Sequence, residues 1–286
     1  MKSFAWTIVP SLLATGFALG AFPLSSVQRV SNLQTVPNKF IVEVDTVADI
    51  HGKRSLSPHE DLYENLRKRA VGFEVNKEFN AHNIFVGAAL TLNSEKDVAA
   101  LLSTPGVKAI RPVTQFQRPN PVFTQSVYGP KDPVVPVDTQ STHKMTGVDK
   151  VHALGITGQG IKIGIIDTGI DYTHPSLGAG FGKGKKVIGG YDFVGDNYDG
   201  TNTPVPDHNP LDQCAGHGTH VAGIIGANPG NAFNISGVAY GASLSAYRIF
   251  GCTGGTEDDV IIDALLRGFQ EGQDILTLSL GVSRGW

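Results

Sequence analysis

The sequence predicts two folded units in series: a small α+β sandwich, followed by an α/β unit built on a doubly wound parallel sheet. Between residues 37 and 118, short β-type runs and helical runs follow one another as strand, helix, paired strands, helix and strand. That order suits helices on one face of an antiparallel sheet. From residue 148 onward, strands alternate with helices, and the first strand is almost continuously apolar. Such strands are typical of a parallel sheet that is covered on both faces.

The chain begins with a segment that is typical of a secretory signal peptide. Lys2 supplies a positive charge, the residues from Phe4 to Phe22 are mostly apolar, and residues 1–21 are predicted to be the signal that is removed. A membrane anchor is the alternative, because the run approaches the length that spans a bilayer. Polar residues and glycines dilute the run, and no basic cluster follows it. We therefore favour the signal and expect a secreted, extracellular protein that leaves the membrane after signal removal.

The N-terminal unit, residues 37–118, contains five predicted elements. They are a strand at Phe40–Val44, a helix at His59–Ala70, a β-type run at Asn83–Leu92, a helix that begins at Ser94, and a strand at Val107–Ile110. The first helix is indicated by leucines at helical spacing. The second is indicated by Ser94 with Asp97 three residues later, which is close to a capping box.

Residues 119–147 are predicted to be a linker or an extended strap across a surface. The prolines of this stretch are Pro119, Pro121, Pro130, Pro133 and Pro136. Proline has no backbone N–H and a fixed φ, so no regular element survives at that density. We expect the boundary between the two units here.

The C-terminal unit, residues 148–286, is the predicted α/β unit. Its predicted strands are Ile161–Ile166, Ser243–Phe250 and Asp274–Leu280, and its predicted helices begin near His217 and at Thr256. Thr256 with Asp259 in the capping-box position marks the second helix start. Because strand and helix alternate, a doubly wound sheet is the simplest fold.

Two short motifs in the C-terminal unit carry chemistry. Asp167 stands directly after the strand Ile161–Ile166, and active groups of such sheets collect at the carboxyl ends of strands. Taken alone, Asp-Thr-Gly at this place is also typical of a turn. The second motif is sharper: His217 opens an apolar helix and is flanked by glycines, which allow another segment to approach closely.

The sequence DTG at Asp167–Gly169, followed by HGTHVAG at His217–Gly223, resembles the aspartate and histidine motifs of the subtilisin-like serine proteases, the subtilases, in their order. The resemblance implies that Asp167 accepts a hydrogen bond from Nδ1 of His217 and that His217 is the general base for a serine. It implies a serine-type endopeptidase with protein or peptide substrates. His220 matches the second histidine of the motif, a support in the family, and we expect a hydrogen-bonded structural residue there.

The resemblance extends to substrate-binding segments and to the N-terminal unit. Phe250–Gly255, with Gly254 and Gly255, resembles the strand edge on which subtilases bind an extended peptide. Ser279, Leu280 and Gly281 resemble the opposite edge of the cleft. A plain sheet with a glycine turn is the alternative for both. The N-terminal unit and linker resemble a subtilase propeptide, a ferredoxin-like domain that assists folding and inhibits its own protease domain.

The sequence departs from the family at the nucleophile. Subtilases continue past the strand ending at Gly281 to an oxyanion-binding asparagine and a Gly-Thr-Ser segment, whereas this sequence ends at Trp286 and none of its serines has that context. We therefore expect an incomplete catalytic domain of a precursor, which holds only Asp167 and His217 of the triad and does not hydrolyse peptides. The alternative is a non-catalytic product whose N-terminal unit inhibits related subtilases.

A metal-dependent hydrolase is a third hypothesis, because His217 and His220 flank two residues and His174 or His208 might join them. The zinc-protease motif HExxH carries a glutamate that is absent here, so no metal and no required cofactor are expected. Calcium could bind the acidic loop that contains Asp192, Asp196 and Asp199. The loop lacks EF-hand spacing, and a solvated acidic loop is the favoured interpretation.

The remaining features bear on export and on partners. Cys214 and Cys252 are the two cysteines, and after export they form a disulfide or remain two buried thiols; the sequence leaves both open. Asn234 begins a glycosylation sequon, which matters if the protein is secreted. The formal charge of −3 gives no electrostatic reason to expect a nucleic-acid partner.

Overall fold

A computed structural model describes residues 34–45, 57–81, 84–120, 141–214, 216–231 and 235–281. The predicted signal peptide, most of the proline-rich linker and Asn234 lie outside these residues. Within them, no helix has the length and apolar character needed to cross a bilayer.

The N-terminal unit is an antiparallel sheet with helices on one face. Its strands are β1 (Thr35–Val44), β2 (Phe73–Ala81), β3 (Phe85–Leu92) and β4 (Val107–Gln117), and its helices are α1 (Pro58–Lys68) and α2 (Val98–Leu102). The strands are ordered β2-β3-β1-β4 and neighbours are antiparallel. Leu66 of α1 and Leu101 of α2 pack with Val42 and Leu90 in one core. Ile41, which points to the other face, packs with Phe79 and Val113 in a second core.

The C-terminal unit is built on a parallel sheet. Helix α3 (Ser141–Thr146) lies in the last part of the predicted linker, residues 119–147, which is therefore helical there. The helices of the C-terminal unit are α4 (Val148–Ala153), α5 (His217–Gly226) and α6 (Asp258–Gln270). Its strands are β5 (Lys162–Asp167), β6 (Val187–Asp192), β7 (Ser243–Arg248), β8 (Gly255–Glu257) and β9 (Ile275–Leu278). Four of these strands form a sheet in the order β6-β7-β5-β9, and every neighbouring pair is parallel.

Helices cover both faces of the parallel sheet. Ile165 of β5 packs with Ala222 of α5 on one face. The next residue, Ile166, packs with Val260 and Ala264 of α6 on the other face. Successive side chains of a strand point to opposite faces, so an almost wholly apolar strand is what this arrangement requires. The prediction of a parallel α/β sheet is confirmed.

The start of α6 differs from the prediction. Thr256 lies in β8, and the helix begins at Asp258 with Glu257 as its N-cap and no side-chain capping bond. The predicted capping box of Thr256 and Asp259 is therefore wrong. The cause is a long-range contact: residues 255–257 pair with β4, which holds them extended.

The two units share a sheet through this pairing. β8 adds to β4 in antiparallel register, with Phe116 opposite Thr256 and Gln117 opposite Gly255. β4 extends to Gln117, well past the predicted end at Ile110, because its pairing with β1 reaches Thr114 and its pairing with β8 covers the last three residues. Helix α6 lies under the same sheet, where its Leu266 joins the second core of the N-terminal unit.

Ion pairs surround the shared sheet. The ammonium group of Lys39 lies 2.5 Å from a carboxylate oxygen of Glu257 and 2.8 Å from one of Asp259. Asp258 accepts hydrogen bonds from the amide and the hydroxyl of Thr114, at 3.1 and 2.7 Å. The first turn of α6 is thus bound to β1 and β4 by charged contacts.

Candidate active site

Asp167 and His217 meet at the carboxyl end of the parallel sheet. Asp167 is the last residue of β5 and its carboxyl group is buried, while His217 is the first residue of α5 and its side chain is 19% exposed. Oδ1 of Asp167 lies 2.7 Å from Nδ1 of His217. Fifty residues separate the two along the chain, so the sheet and helix together create this contact.

The contact fixes the state of the imidazole. A carboxylate oxygen can only accept, so Nδ1 of His217 donates, and the neutral ring then keeps a lone pair on Nε2. Oδ1 of Asp167 also accepts from the amide of Thr168 at 2.7 Å. Nothing among the described residues bonds to Nε2 of His217. The arrangement can therefore take a proton at Nε2, as a general base does.

The surroundings of Asp167 act on its pKa in two directions. Burial raises the pKa of Asp167 above its ordinary value, because a charged carboxylate loses its hydration there. The hydrogen bonds from His217 and Thr168 oppose the rise because they favour the charged form. Oδ2 of Asp167 is buried and has no partner among the described residues, which is consistent with the net rise.

Two glycines allow α5 to reach the end of β5. A Cβ on Gly218 would lie 2.1 Å from the carbonyl oxygen of Gly169 and 3.2 Å from Cβ of Asp167. Gly169 itself has φ of 99°, a region that side chains disfavour. A larger residue at 218 would therefore require the backbone of Gly169 or the start of α5, which carries His217, to move.

The structure joins Cys214 and Cys252 in a disulfide, with their Cα atoms 5.2 Å apart. The bond connects the loop before His217 to the loop that leads from β7 to β8. The sequence alone left this pairing open.

His220 does not make the expected hydrogen bond. Its side chain is exposed, and no side-chain hydrogen bond to it occurs within the described part of the chain. The neighbouring Val221 and Ala222 face the sheet, whereas His220 faces an open groove between α5 and residues 142–146. The helix thus turns this histidine away from the packed side.

Among the described residues, no histidine belongs to a group of three potential metal ligands. Across the described ranges, the one cluster of three potential ligands consists of Asp196, Cys214 and Cys252. The two sulfurs in it are bonded to each other, so neither is a thiolate that could bind zinc. The zinc hypothesis built on His217 and His220 finds no support in the geometry.

The acidic loop is only partly solvated. Asp192 is buried and lies 3.1 Å from Nη1 of Arg248, and the exposed Asp196 lies 2.7 Å from the same atom. The interpretation of a solvated loop is therefore wrong for Asp192, whose burial is balanced by a guanidinium group. Exposed Asp199 binds Thr201 within its own turn. Arg248 thus engages two of the three carboxylates of the loop.

The predicted substrate-binding residues lie at two strand ends. Gly254 precedes β8 with φ of 70°, and Gly255 pairs with Gln117 of β4, so one edge of β8 is occupied by the N-terminal unit. Ser279, Leu280 and Gly281 follow β9, with Ser279 and Gly281 exposed and Leu280 packed on the core beside α6. The neighbouring strands, β8 and β9, belong to different sheets.

Asp212 is a buried residue beside the site that was not predicted from the sequence. It lies five residues before His217 and is 2% exposed, yet its carboxylate accepts hydrogen bonds from Thr168, Cys214 and Gly216. Bonds to backbone amides two and four residues ahead are typical of an aspartate that shapes a turn. That spacing is the only sequence signal for it.

Comparisons with known proteins point to one family. Residues 158–286 match the subtilase family. The chain is 33% identical over 265 residues to the minor extracellular protease Vpr of Bacillus subtilis. The aligned region covers 92% of this chain and 31% of that protein. It is 30% identical over 215 residues to subtilisin E of the same species, covering 75% of this chain and 46% of that one. The chain thus spans less than half the length of these relatives.

A solved structure is similar in fold. Fervidolysin from Fervidobacterium pennivorans, a keratinolytic enzyme related to subtilisin, superposes with a TM-score of 0.55 at 18% sequence identity. The likeness covers 87% of this chain and 36% of that one. The two motifs, the family match and the parallel sheet that brings Asp167 to His217 agree with one another. Residues 158–286 of this chain belong to the subtilase family.

Proposed function

We propose that this chain is part of the precursor of a serine-type endopeptidase, in which Asp167 and His217 are two members of an Asp/His/Ser triad. The observation that carries the proposal is the 2.7 Å contact between the buried carboxylate of Asp167 and Nδ1 of His217. In this role Asp167 holds the ring in one tautomer and stabilises the imidazolium. Nε2 of His217 removes the proton of the serine hydroxyl as it attacks a peptide carbonyl, and then donates that proton to the leaving amine.

We propose further that the 286-residue polypeptide alone does not turn over peptides. No Gly-Thr-Ser segment occurs in its sequence. Exposed Ser279 follows β9 and makes no hydrogen bond to His217 among the described residues. In subtilisin, removal of the nucleophilic serine lowers kcat about 10⁶-fold. The triad chemistry requires no cofactor, and none is proposed.

Sequencing the messenger RNA beyond the codon for Trp286 tests the proposal. An open frame that continues to a Gly-Thr-Ser segment is expected, and the protein it encodes should hydrolyse casein. A stop codon at that point in the mature message would contradict the peptidase precursor. Loss of casein hydrolysis in His217→Ala of the longer protein would then assign the base.

The N-terminal unit is proposed to be a ferredoxin-like propeptide that inhibits its own protease domain. The pairing of β4 with β8 supports this, because β4 occupies an edge next to Gly254 on which a peptide substrate is proposed to bind. Extended backbone added to a strand edge binds with little dependence on side chains. A linker at 119–147 would hold the site of propeptide cleavage.

Secretion is proposed on three observations. The N-terminal segment is typical of a signal, Cys214 and Cys252 form a disulfide, and the relative Vpr is named an extracellular protease. Disulfides persist in oxidising compartments. Glycosylation of Asn234 stays a prediction that follows from export.

A second candidate function is inhibition of other subtilases by the N-terminal unit. The β4–β8 pairing favours it, since the same strand could add to the edge of a related protease. The polypeptide would be mixed with active subtilisin E and the hydrolysis of a peptide substrate followed. Tight inhibition without cleavage of the polypeptide supports the second candidate, and unchanged hydrolysis rejects it.

A further inference from the structure

Asp212 lies outside both sequence motifs and is buried beside them. One of its oxygens, Oδ2, accepts from the hydroxyl of Thr168 at 2.6 Å and from the amide of Gly216 at 2.9 Å. The other, Oδ1, accepts from the amide of Cys214 at 2.9 Å. A buried carboxylate with at least three donors holds its loop in one conformation, because loss of any donor leaves a desolvated charge less well satisfied.

The hydroxyl of Thr168 connects Asp212 to the first turn of α5. While it donates to Asp212, its oxygen accepts from the amide of Gly218 at 2.9 Å. Gly216 and Gly218 are the residues on either side of His217. Asp212 thus holds the backbone before His217 directly, and the backbone after it through Thr168.

Helix α5 begins without a side-chain cap from its own N-cap residue. Its N-cap is Gly216, with φ of 71° and no side-chain capping bond. The amide of Gly218 would otherwise be one of the unsatisfied donors of a helix N-terminus. The hydroxyl of Thr168 takes the place of a cap residue, and it belongs to the residue next to Asp167.

We infer that Asp212 is a positioning residue for His217: through Thr168 and Gly216 it orients the imidazole so that Nδ1 points at Asp167. This inference rests on one part of the proposed function, the role of His217 as the general base. The mechanism involves no proton transfer to Asp212. Its carboxylate receives hydrogen bonds and fixes the position of a backbone segment.

The experiment follows the Nδ1 proton of His217 by ¹H and ¹⁵N NMR of the 286-residue polypeptide. The signal is assigned by its absence from His217→Gln. In Asp212→Asn and Thr168→Val we expect exchange of this proton with water to be about tenfold faster than in the wild type. Thr168→Ser, which keeps the hydroxyl, should retain the wild-type rate.

Asp258→Asn is the matched control. Asp258 also accepts from a threonine hydroxyl and a backbone amide, those of Thr114, but it lies at the contact with the N-terminal unit. This variant should leave the His217 signal unchanged. A change equal to that of Asp212→Asn would show that the effect is general loosening and would overturn the inference.

The outcomes separate the inference from the proposed function. If Asp212→Asn leaves the exchange within about twofold of the wild type while Asp167→Asn abolishes the signal, the inference fails and the Asp–His pair stands. If Asp167→Asn also has no effect, the proposed pair itself fails. Should Asp212→Asn not fold, Thr168→Val against Thr168→Ser decides: equal behaviour of the two rejects the positioning role.

Discussion

Gly218 is the residue at which the histidine motif is most tightly constrained. A Cβ there would lie 2.1 Å from the carbonyl oxygen of Gly169. Gly218→Ala should therefore lower the free energy of unfolding by about 2 kcal/mol, because the backbone of Gly169 or the start of α5 must move. Urea unfolding followed by circular dichroism measures the change.

Gly223 provides the control on the same helix. A Cβ on Gly223 would meet no atom within 4 Å. Gly223→Ala should raise the free energy of unfolding by about 0.5–1 kcal/mol, since alanine is the better helix former. Equal effects of the two substitutions would mean that helix propensity and not close approach governs Gly218.

Asp167 should make stability depend on pH in a definite direction. Burial raises its pKa in the folded state above the unfolded value. The contribution of Asp167 to the free energy of unfolding is therefore fully present below its pKa in the unfolded chain, and it is lost as the pH rises through its pKa in the folded protein. As the pH rises from below the ordinary pKa of an aspartate through the raised pKa of Asp167 in the folded state, the free energy of unfolding of the wild type should fall relative to that of Asp167→Asn. Urea midpoints at several pH values test this, and a rise would contradict it.

The sequence predicted Asp167 and His217 but not Asp212. The first two are marked by short motifs next to an apolar strand and an apolar helix. Asp212 sits among proline, asparagine and glutamine, a composition that normally indicates a solvated loop. Asp212 is buried because the fold brings Thr168, which follows β5, into contact with it, and this contact between distant residues has no signal in the local sequence.

At the scale of elements, the loop before α5 is anchored at both ends. Asp212 holds one end, and the Cys214–Cys252 disulfide ties the loop to the start of the β7–β8 connection. The disulfide joins residues 38 apart, for which chain entropy predicts about 4 kcal/mol of stabilisation. The double variant Cys214→Ser with Cys252→Ser should lose that amount in urea unfolding. An unchanged midpoint would show that the loop is fixed without the bond.

Lys39 should control the contact between β8 and the N-terminal unit. Its ammonium is the counter-ion of Glu257 and Asp259, which are both buried. Lys39→Met leaves these carboxylates unpaired and should weaken the contact by about 2 kcal/mol. Faster hydrogen exchange at the amides of residues 255–257 is the expected observation. Lys68→Met, which removes an exposed pair with Glu64, should leave those amides unchanged.

Elements with a strong local pattern were predicted, and those made by distant contacts were not. β5 and α5 have unambiguous apolar patterns, and both are confirmed. β6, Val187–Asp192, contains two glycines and gave no clear signal. β8 has only three residues and is a strand because it pairs with β4. The sequence next to β8 therefore contains no pattern that predicts this strand.

At the scale of the whole molecule, the two units are bound by a shared sheet. The parallel α/β fold of the C-terminal unit was predicted from its sequence and is confirmed. The boundaries of the signal peptide and linker stay predictions, since most of those residues lie outside the described ranges. The pairing of β4 with β8 joins residues that are more than a hundred positions apart. The local sequence pattern therefore could not predict how the two units pack.

The central claim is that Asp167 orients His217, the general base of a serine peptidase, and ¹⁵N NMR of the histidine-labelled 286-residue polypeptide tests it most directly. At neutral pH, His217 should carry its proton on Nδ1 and leave Nε2 unprotonated, and this preference should disappear in Asp167→Asn. A His217 ring that is protonated on Nε2, or one that is indifferent to Asp167→Asn, would contradict the account.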